Sequence, residues 1–547
     1  MIRGVLRAGV GLSLSAVAAL GGVAAEAAGP VALPEPPRLS VDTTYVPPSG
    51  RTVAVVAGGD FQAALNRAQP GDVITLEAGA VFTGPFRLPN KAGAGWIVVR
   101  TSAPDSSLPR PGTRIDPSYA GAMPKLVAAS EGVITAAPGA HHYRFIGIEL
   151  RPREGVHLHS LVWLGNDEIA PEALPHHIVV DRCYLHGDPK KGSRRGITLN
   201  SRDTAVVDSY LSDFKEAGAE AQAIGGWNGP GPFKIVNNYL EGAGENIMFG
   251  GTDPSIPDLV PADIEIRRNH LSKPVAWKAG EPGHEGTAWT VKNLLELKNA
   301  RRVLIEGNVL EHNWVQAQTG FAVLFTVRNQ DGRAPWATVE DVTFVNNIVR
   351  HAAAGISMHG RDNNQPSQRT KRILIRNNLF EDVGDPRWGG GGRLFQILDG
   401  IANLVIEHNT AVQTGNIILA EGAPHEGFVY RDNITPHNEY GMIGTGTPPG
   451  NPTLERYFPR AVIEKNVIVG GRGGQYPGRN FAPGSLADVG FVDPARGDYR
   501  LADGSRYKKA GTEGKDPGVD MDELAAALSA DDRRAAAASG PAPARKE

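Results

Sequence analysis

KIVNNYL (residues 234–240), EIRRNHL (265–271), LIEGNVL (304–310), FVNNIV (344–349), LIRNNLF (374–380) and VIEHNT (405–410) are variants of one phrase. Apolar residues alternate, a polar residue follows, then an Asn, then another apolar pair. The phrase extends outward in both directions. VVDRCYL (179–185) and VVDSYL (206–211) precede these copies, and YRDNI (430–434) and IEKNVIV (463–469) follow them. The recurrent slot holds Cys183, Ser209, Asn238, Asn269, Asn308, Asn347, Asn378, Asn409, Asn433 and Asn466, with neighbours 24 to 39 residues apart. A period of that length with strand-like alternation inside it marks a solenoid, in which residues of successive coils stack.

The 547-residue chain would ordinarily divide into several domains, but a solenoid grows by adding coils to one body. Its 67 glycines and 41 prolines suit a turn-rich β protein. A net charge of −3, with no basic tract, argues against nucleic acid as a partner. Arg3 and Arg7, an apolar stretch from Gly9 to Ala25 and the small-x-small step Ala25-Glu26-Ala27 read as a cleaved export signal over residues 1–28. The expectation is a secreted or periplasmic monomer without stable membrane insertion. With Cys183 alone no intramolecular disulfide can form, and its place in the recurrent slot makes it a buried filler.

Residues 29–54 are a Pro-rich linker. DFQAALNRAQPGD starts at Asp60, a plausible N-cap, and places Phe61, Ala64, Leu65 and Ala68 on one helical face. A short amphipathic helix ahead of the first strand suits a cap over an open solenoid end. Coils are expected from 55 to 510, closed by a hairpin-like VGFVDPARGDYRL. A short helix and a low-complexity tail follow over 511–547.

The helix-and-strand opening FQAALNRAQPGDVITLEAG, the Asn-bearing repeats and the closing FVDPARGDYRL resemble proteins of the pectate-lyase-like superfamily. That resemblance implies an all-β fold, a single-stranded right-handed parallel β-helix solenoid with an N-terminal capping helix. The superfamily includes lyases and hydrolases of acidic polysaccharides, epimerases and non-catalytic adhesins. The Asn slot is then structural, because an Asn tolerates a left-handed turn and bonds the main chain of the next coil.

A second strand recurs in each coil: LLELKN, LFTVRN, GISMHG, FQILDG and NIILAEG among others. Aligning these on the following turn gives a column of Asn200, Lys298, Arg328, His359, Asp399, Glu421 and Thr445. Alternation places it outward, with Leu297, Val327, Met358 and Leu398 inward. Solvated ion pairs would explain such a stripe. The flanking segments are long and aromatic, however, as binding faces of solenoids are. Trp277 and Trp289 lie in Ser272 to Trp289, Arg361 in Arg361 to Arg369, and Trp388 in Asp385 to Gly392. These residues, with Glu296 and Glu421, are candidate substrate contacts.

Elimination across a uronate linkage needs a cation on the carboxylate, a base for the adjacent C–H and an acid for the leaving oxygen. Arg328 suits the first role, Lys298 the base, and His359 either proton role. Asp399 completes the candidate catalytic set. Lys298-Asn299 followed by an Arg on the next coil is similar to the β-helical alginate and chondroitin lyases. That similarity implies a calcium ion held by glutamates upstream of the Lys. This sequence offers Glu296 there, and Glu245 and Asn246 as oxygen ligands from an earlier coil. Two other classes stay open. A glycoside hydrolase would pair Asp399 with Glu421, with Asp362 nearby, and a non-catalytic β-helix would grip a glycan. His284, His312 and His425 lack zinc-ligand spacing, and GGGGR from Gly389 lacks a strand–turn–helix context for phosphate.

Overall fold

The computed structural model describes residues 31–529, so the stretch read as an export signal and the end of the tail lie outside the described residues. Each coil contributes one strand to each of three parallel sheets. Arg195–Leu199 belongs to a 12-stranded sheet, called sheet 1 here. Arg202–Val207 follows in a 14-stranded sheet 2, and Tyr210–Phe214 in a 13-stranded sheet 3. The chain is a right-handed parallel β-helix. Among the described residues, no helix is long and apolar enough to cross a membrane.

Because neighbouring coils pair in register, inward residues stack into columns. Phe249, Leu297, Phe325, Met358, Ile397 and Ala420 form one such column in sheet 1, all fully buried. Burial of this kind is worth roughly 1.5–3 kcal/mol per large side chain.

The recurrent Asn forms a continuous amide chain at the corner between sheets 2 and 3. Asn347 Oδ1 accepts the backbone N–H of Asn308 at 2.9 Å and its side-chain amide at 2.9 Å. Asn347 Nδ2 donates to Ile305 O, Val345 O and Asn378 Oδ1. The chain runs on to Asn480, beyond the last slot read from the sequence. The left-handed residue at this corner is not the Asn. It is the residue before it, such as Asn237, Arg268, Asn346, Asn377 and His408. Asn347→Ala would leave the Asn308 N–H without a partner. It is expected to lower unfolding free energy by about 1–3 kcal/mol, read by chemical denaturation. Cys183 is fully buried in its slot, and burial pushes its thiol up to about 12.

Helix α1 (Phe61–Arg67) covers the first coil. Asp60 Oδ1 caps it by accepting from Ala63 N at 2.8 Å, and Phe61 packs edge-on to Phe82 and Phe86. Helix α2 (Asn451–Tyr457), not foreseen in the sequence, buries Leu454 and Tyr457 at the other end, where Phe458 stacks on His425. The closing pair, Phe491–Asp493 with Asp498–Leu501, is antiparallel.

The flanking segments are more tightly attached than their composition suggests. Sheet 2 already begins at Thr52, and residues 31–50 run along its outer face. Val41 is buried against Val179, Ala205, Val207 and Val236. Arg38 N donates to Asp263 Oδ1 at 2.8 Å, and Glu35 N to Asp341 Oδ1 at 3.0 Å. The outward row of sheet 2 contains apolar residues, and this proline-rich strap covers part of it. On the opposite end, residues 511–529 return along the Asn corner. Asp520 N donates to Asn377 Oδ1 at 2.6 Å, and helix α3 (Met521–Ser529) buries Leu524.

Candidate active site

Alternation within Leu295–Leu297 and the following residue sends Glu296 and Lys298 outward while Leu295 and Leu297 enter the core. Lys298 and His359 belong to one row, but Arg328 does not. Leu297 pairs Phe325, and Thr326 pairs His359, so Thr326 takes the position beside Lys298. Likewise Leu398, not Asp399, pairs His359 and then Glu421. Aligning on the turn misplaced Arg328 and Asp399, because the segments after the strands differ in length. Arg328 still lies on the adjacent coil, and its N–H donates to Lys298 O at 2.9 Å.

Lys298, Arg328 and His359 converge on one open groove of about 420 Å³. Glu296, Thr326 and Gln396 line its floor, and Glu220, Lys292, Gln318 and Asp362 its walls. Lys298 is only 11% exposed and stands 3.7 Å from Glu296 Oε1. Burial works against the charged Glu296, but Lys298, Lys292 and the Asn293 amide outweigh it and hold its carboxyl below the ordinary range. Lys292 reaches three carboxylates: Glu220 at 2.6 Å, Glu245 at 2.7 Å and Glu296 at 3.7 Å. Arg328 pairs with Asp362 at 2.9 Å and donates to Asn363 Oδ1. Asp362 also accepts from Asn329 N and Asn364 N, so the guanidinium is aimed by a fixed carboxylate.

His359 carries the clearest chemical signature. Burial lowers its pKa, Arg328 lowers it further, and Asp399 and Asp362 oppose them without winning. Its Nδ1 is buried with no hydrogen-bond partner. A neutral imidazole lining the groove is equipped to take a proton through a ring nitrogen that faces it, which the buried Nδ1 does not.

Other sequence candidates land elsewhere. Trp277 is buried with Val291 and Trp314, and Trp388 is buried with Nε1 donating to Asp382 Oδ2 at 2.8 Å. Neither presents a face to sugar. Lys215 lies over the rings of Trp277 and the half-buried Trp289 at 5.0 and 5.2 Å. The loop holding Trp277 is tied to the one holding Trp388 by Glu281 and Arg387. Arg361 is exposed, donates to Ser367 O and does not line the groove. Asp399 has φ 55° and precedes Gly400 in a tight turn, and Glu421 is exposed outside the groove. The carboxylates lining the groove, Glu220, Glu296 and Asp362, each have a cation against them.

Glu245 and Asn246 are fully buried. Asn246 Oδ1 accepts from Lys273 Nζ at 3.3 Å, and the same ammonium reaches Gly242 O at 2.5 Å, Asn293 O at 2.9 Å and Gly244 O at 3.4 Å. The oxygen cradle is therefore filled by a lysine, and Lys292 holds Glu245. These residues do not fit a calcium ion.

Sequence reading missed Glu220, Lys292 and Lys273, whose roles depend on loops folding back over the sheet. It also missed Trp163, although alternation in LVWLGN places that ring outward. Trp163 shares the row of Glu296 through Thr198, Gly225 and Met248, four coils or about 19 Å away. It is half-exposed, stacks on His159 at 5.5 Å and lines a hollow of about 540 Å³.

No family model matches the chain, and no curated protein matches it. Among solved structures, the PL6 family alginate lyase AlyGC is similar at 13% identity and a TM-score of 0.47, over 88% of this chain and 59% of that one. The present chain thus spans under two thirds of that lyase. The catalytic unit of a thermostable GH87 α-1,3-glucanase from Streptomyces thermodiastaticus is similar at 13% identity and a TM-score of 0.48, over 82% and 72% of the two chains. The Dettilon tailspike protein is similar at 11% identity and a TM-score of 0.38, over 78% and 68%.

Proposed function

We propose that the protein is an exported polysaccharide lyase that cleaves a uronate-containing chain by β-elimination. The observation that carries this reading is the convergence of Lys298, Arg328 and His359, from three consecutive coils, on one groove, where burial and Arg328 lower the His359 pKa. Arg328, aimed by Asp362, neutralises the uronate carboxylate and acidifies the adjacent C–H. His359 takes that proton. The electron pair forms the C=C bond, the bond to the leaving oxygen breaks, and the Lys298 ammonium supplies the proton to that oxygen. This moves Lys298 from the base role read from the sequence to the acid role, and gives His359 one of the two proton roles left open for it. Glu296 beside Lys298 supports an ammonium there, and the neutral imidazole supports a base.

Incubation with a panel of uronate and neutral glycans tests the reading. Ultraviolet absorbance from a new C=C bond is the expected result. New reducing ends without it would establish a hydrolase, and binding without either product an adhesin.

The pH dependence follows from the sign of the His359 shift. A lowered pKa means that the base form persists below the ordinary 6.5. The acid limb of kcat/KM is therefore expected below pH 6.5, and His359→Gln should remove the limb with the activity. A limb at or above that value would exclude His359 as the base.

Trp163 supports a chain lying along sheet 1. Trp163→Ala is expected to raise KM for long chains by about tenfold, the loss of roughly 1.4 kcal/mol of ring stacking, while leaving short oligosaccharides unaffected.

A further inference from the structure

Two successive strands of sheet 2 open with a histidine doublet, His141-His142 and His176-His177, and His141 pairs His176 in register. In a regular strand, sequence neighbours face opposite sides of the sheet. Here His142 and His177 are left-handed, with φ of 58° and 52°, and this kink turns both members of each doublet outward. Within each coil the two Nδ1 atoms come to 2.7 and 2.8 Å. Between coils the rings stack, His141 on His176 at 4.8 Å and His142 on His177 at 4.5 Å. Ring nitrogens of His142, His176 and His177 all lie within 4.8 Å of one another. All four residues are half-buried, so an ion has access to the ring nitrogens.

The same kink recurs along the sheet. At Asp263 and Arg302, and again at Asp341 and Arg372, it brings opposite charges of successive coils to 2.7 and 2.6 Å. Those ion pairs clamp coil to coil. Imidazoles at the equivalent position cannot clamp by opposite charge, and two imidazolium rings stacked face to face repel. A shared cation would supply what is missing. Asp203, the left-handed residue of the next coil, puts Oδ2 3.7 Å from His177 Nδ1 and offers an oxygen ligand, although Arg202 also reaches it at 3.4 Å.

We propose that His142, His176 and His177 bind one divalent transition-metal ion of the zinc, nickel and copper class, which clamps the early coils together. Nitrogen-rich sites select such ions over calcium or magnesium. The site lies on sheet 2, away from the groove on sheet 1, and does not depend on the proposed lyase activity.

The test uses tag-free full-length protein stripped with chelator and titrated calorimetrically with Zn²⁺ alone and Cu²⁺ alone. One saturable ion per chain is expected, with nitrogen hyperfine coupling in the Cu²⁺ paramagnetic spectrum and a rise in melting temperature. His142→Asn keeps a residue that tolerates the left-handed backbone, and His176→Gln keeps a polar side chain. Each should weaken binding at least tenfold while melting like the wild type without metal. His312→Ala, in the separate cluster of Glu311, His312 and His351, should leave binding unchanged. Absence of saturable binding, retention of full affinity in both doublet variants, or loss of binding in His312→Ala would each overturn the proposal.

Discussion

Lys298→Ala and Arg328→Ala are each expected to lower turnover by about 10²–10⁴-fold while leaving the fold intact. Removing a proton donor or the group that stabilises developing charge costs that much when it acts only in the transition state. The stability cost is small because each deletion leaves its partner satisfied. Glu296 without Lys298 keeps Lys292 at 3.7 Å and the Asn293 amide at 3.2 Å. Asp362 without Arg328 keeps the backbone N–H groups of Asn329 and Asn364. Unfolding free energy should therefore change by less than about 1 kcal/mol in Arg328→Ala, whose side chain is a quarter exposed, and by about 1–3 kcal/mol in Lys298→Ala, whose side chain is nearly buried against Glu296. Asp399→Ala is the contrast. Asp399 lies outside the groove in a left-handed turn, so it should reduce activity only mildly. Turnover and denaturation curves on the three variants decide the matter. Severe loss in Asp399→Ala with activity retained in Lys298→Ala would replace elimination by carboxylate-run hydrolysis.

The solenoid was legible because one physical constraint repeats at every coil. A corner between two sheets must satisfy buried main-chain groups, and Asn does this by bonding the next coil, so the phrase around Asn308 and Asn347 recurs almost unchanged. Alternation located Lys298 and His359 for a similar reason, since Leu297 and Met358 fix the inward phase. Register was less legible. Arg328 lies two positions beyond Thr326, while His359 ends its own strand, and nothing in the local pattern distinguishes the two cases. Loops were the least legible. Trp277 and Trp388 read as exposed rings because they sit in polar segments, yet Trp277 packs against Ala243 and Trp388 beside the rings of His312 and His351. Whether a ring is covered depends on where a loop folds back, which periodicity does not encode. Residues 31–50 show the same limit. Their prolines indicate the absence of helix and ladder pairing but give no hint that Val41 finds an apolar row on sheet 2.

Lys273→Met is expected to be the most damaging single substitution tested by stability, because this ammonium organises the layer beneath the groove. Lys273 is completely buried, and its Nζ bonds Gly242 O, Gly244 O, Asn293 O and Asn246 Oδ1. Methionine fills similar volume but donates nothing, so the acceptors in residues 242–246 and at Asn293 lose a shared partner. Asn293 also donates to Glu296 at 3.2 Å, and Glu245 and Glu296 share Lys292, so the disturbance reaches the groove floor. Leaving buried acceptor oxygens without their shared donor costs about 1–3 kcal/mol. Burial pushes the Lys273 pKa down to about 7, with Glu245 raising it and Lys292 lowering it. The folded pKa lies below the unfolded value of 10.5, so burying the charged form penalises folding below about pH 7, and the penalty fades as pH rises toward 10.5. The difference in unfolding free energy between wild type and Lys273→Met, measured by denaturation from pH 6 to 10, should therefore depend on pH. Wild type and variant curves that run parallel across that range, or a variant as stable as the wild type, would show that Lys273 does not hold this layer together.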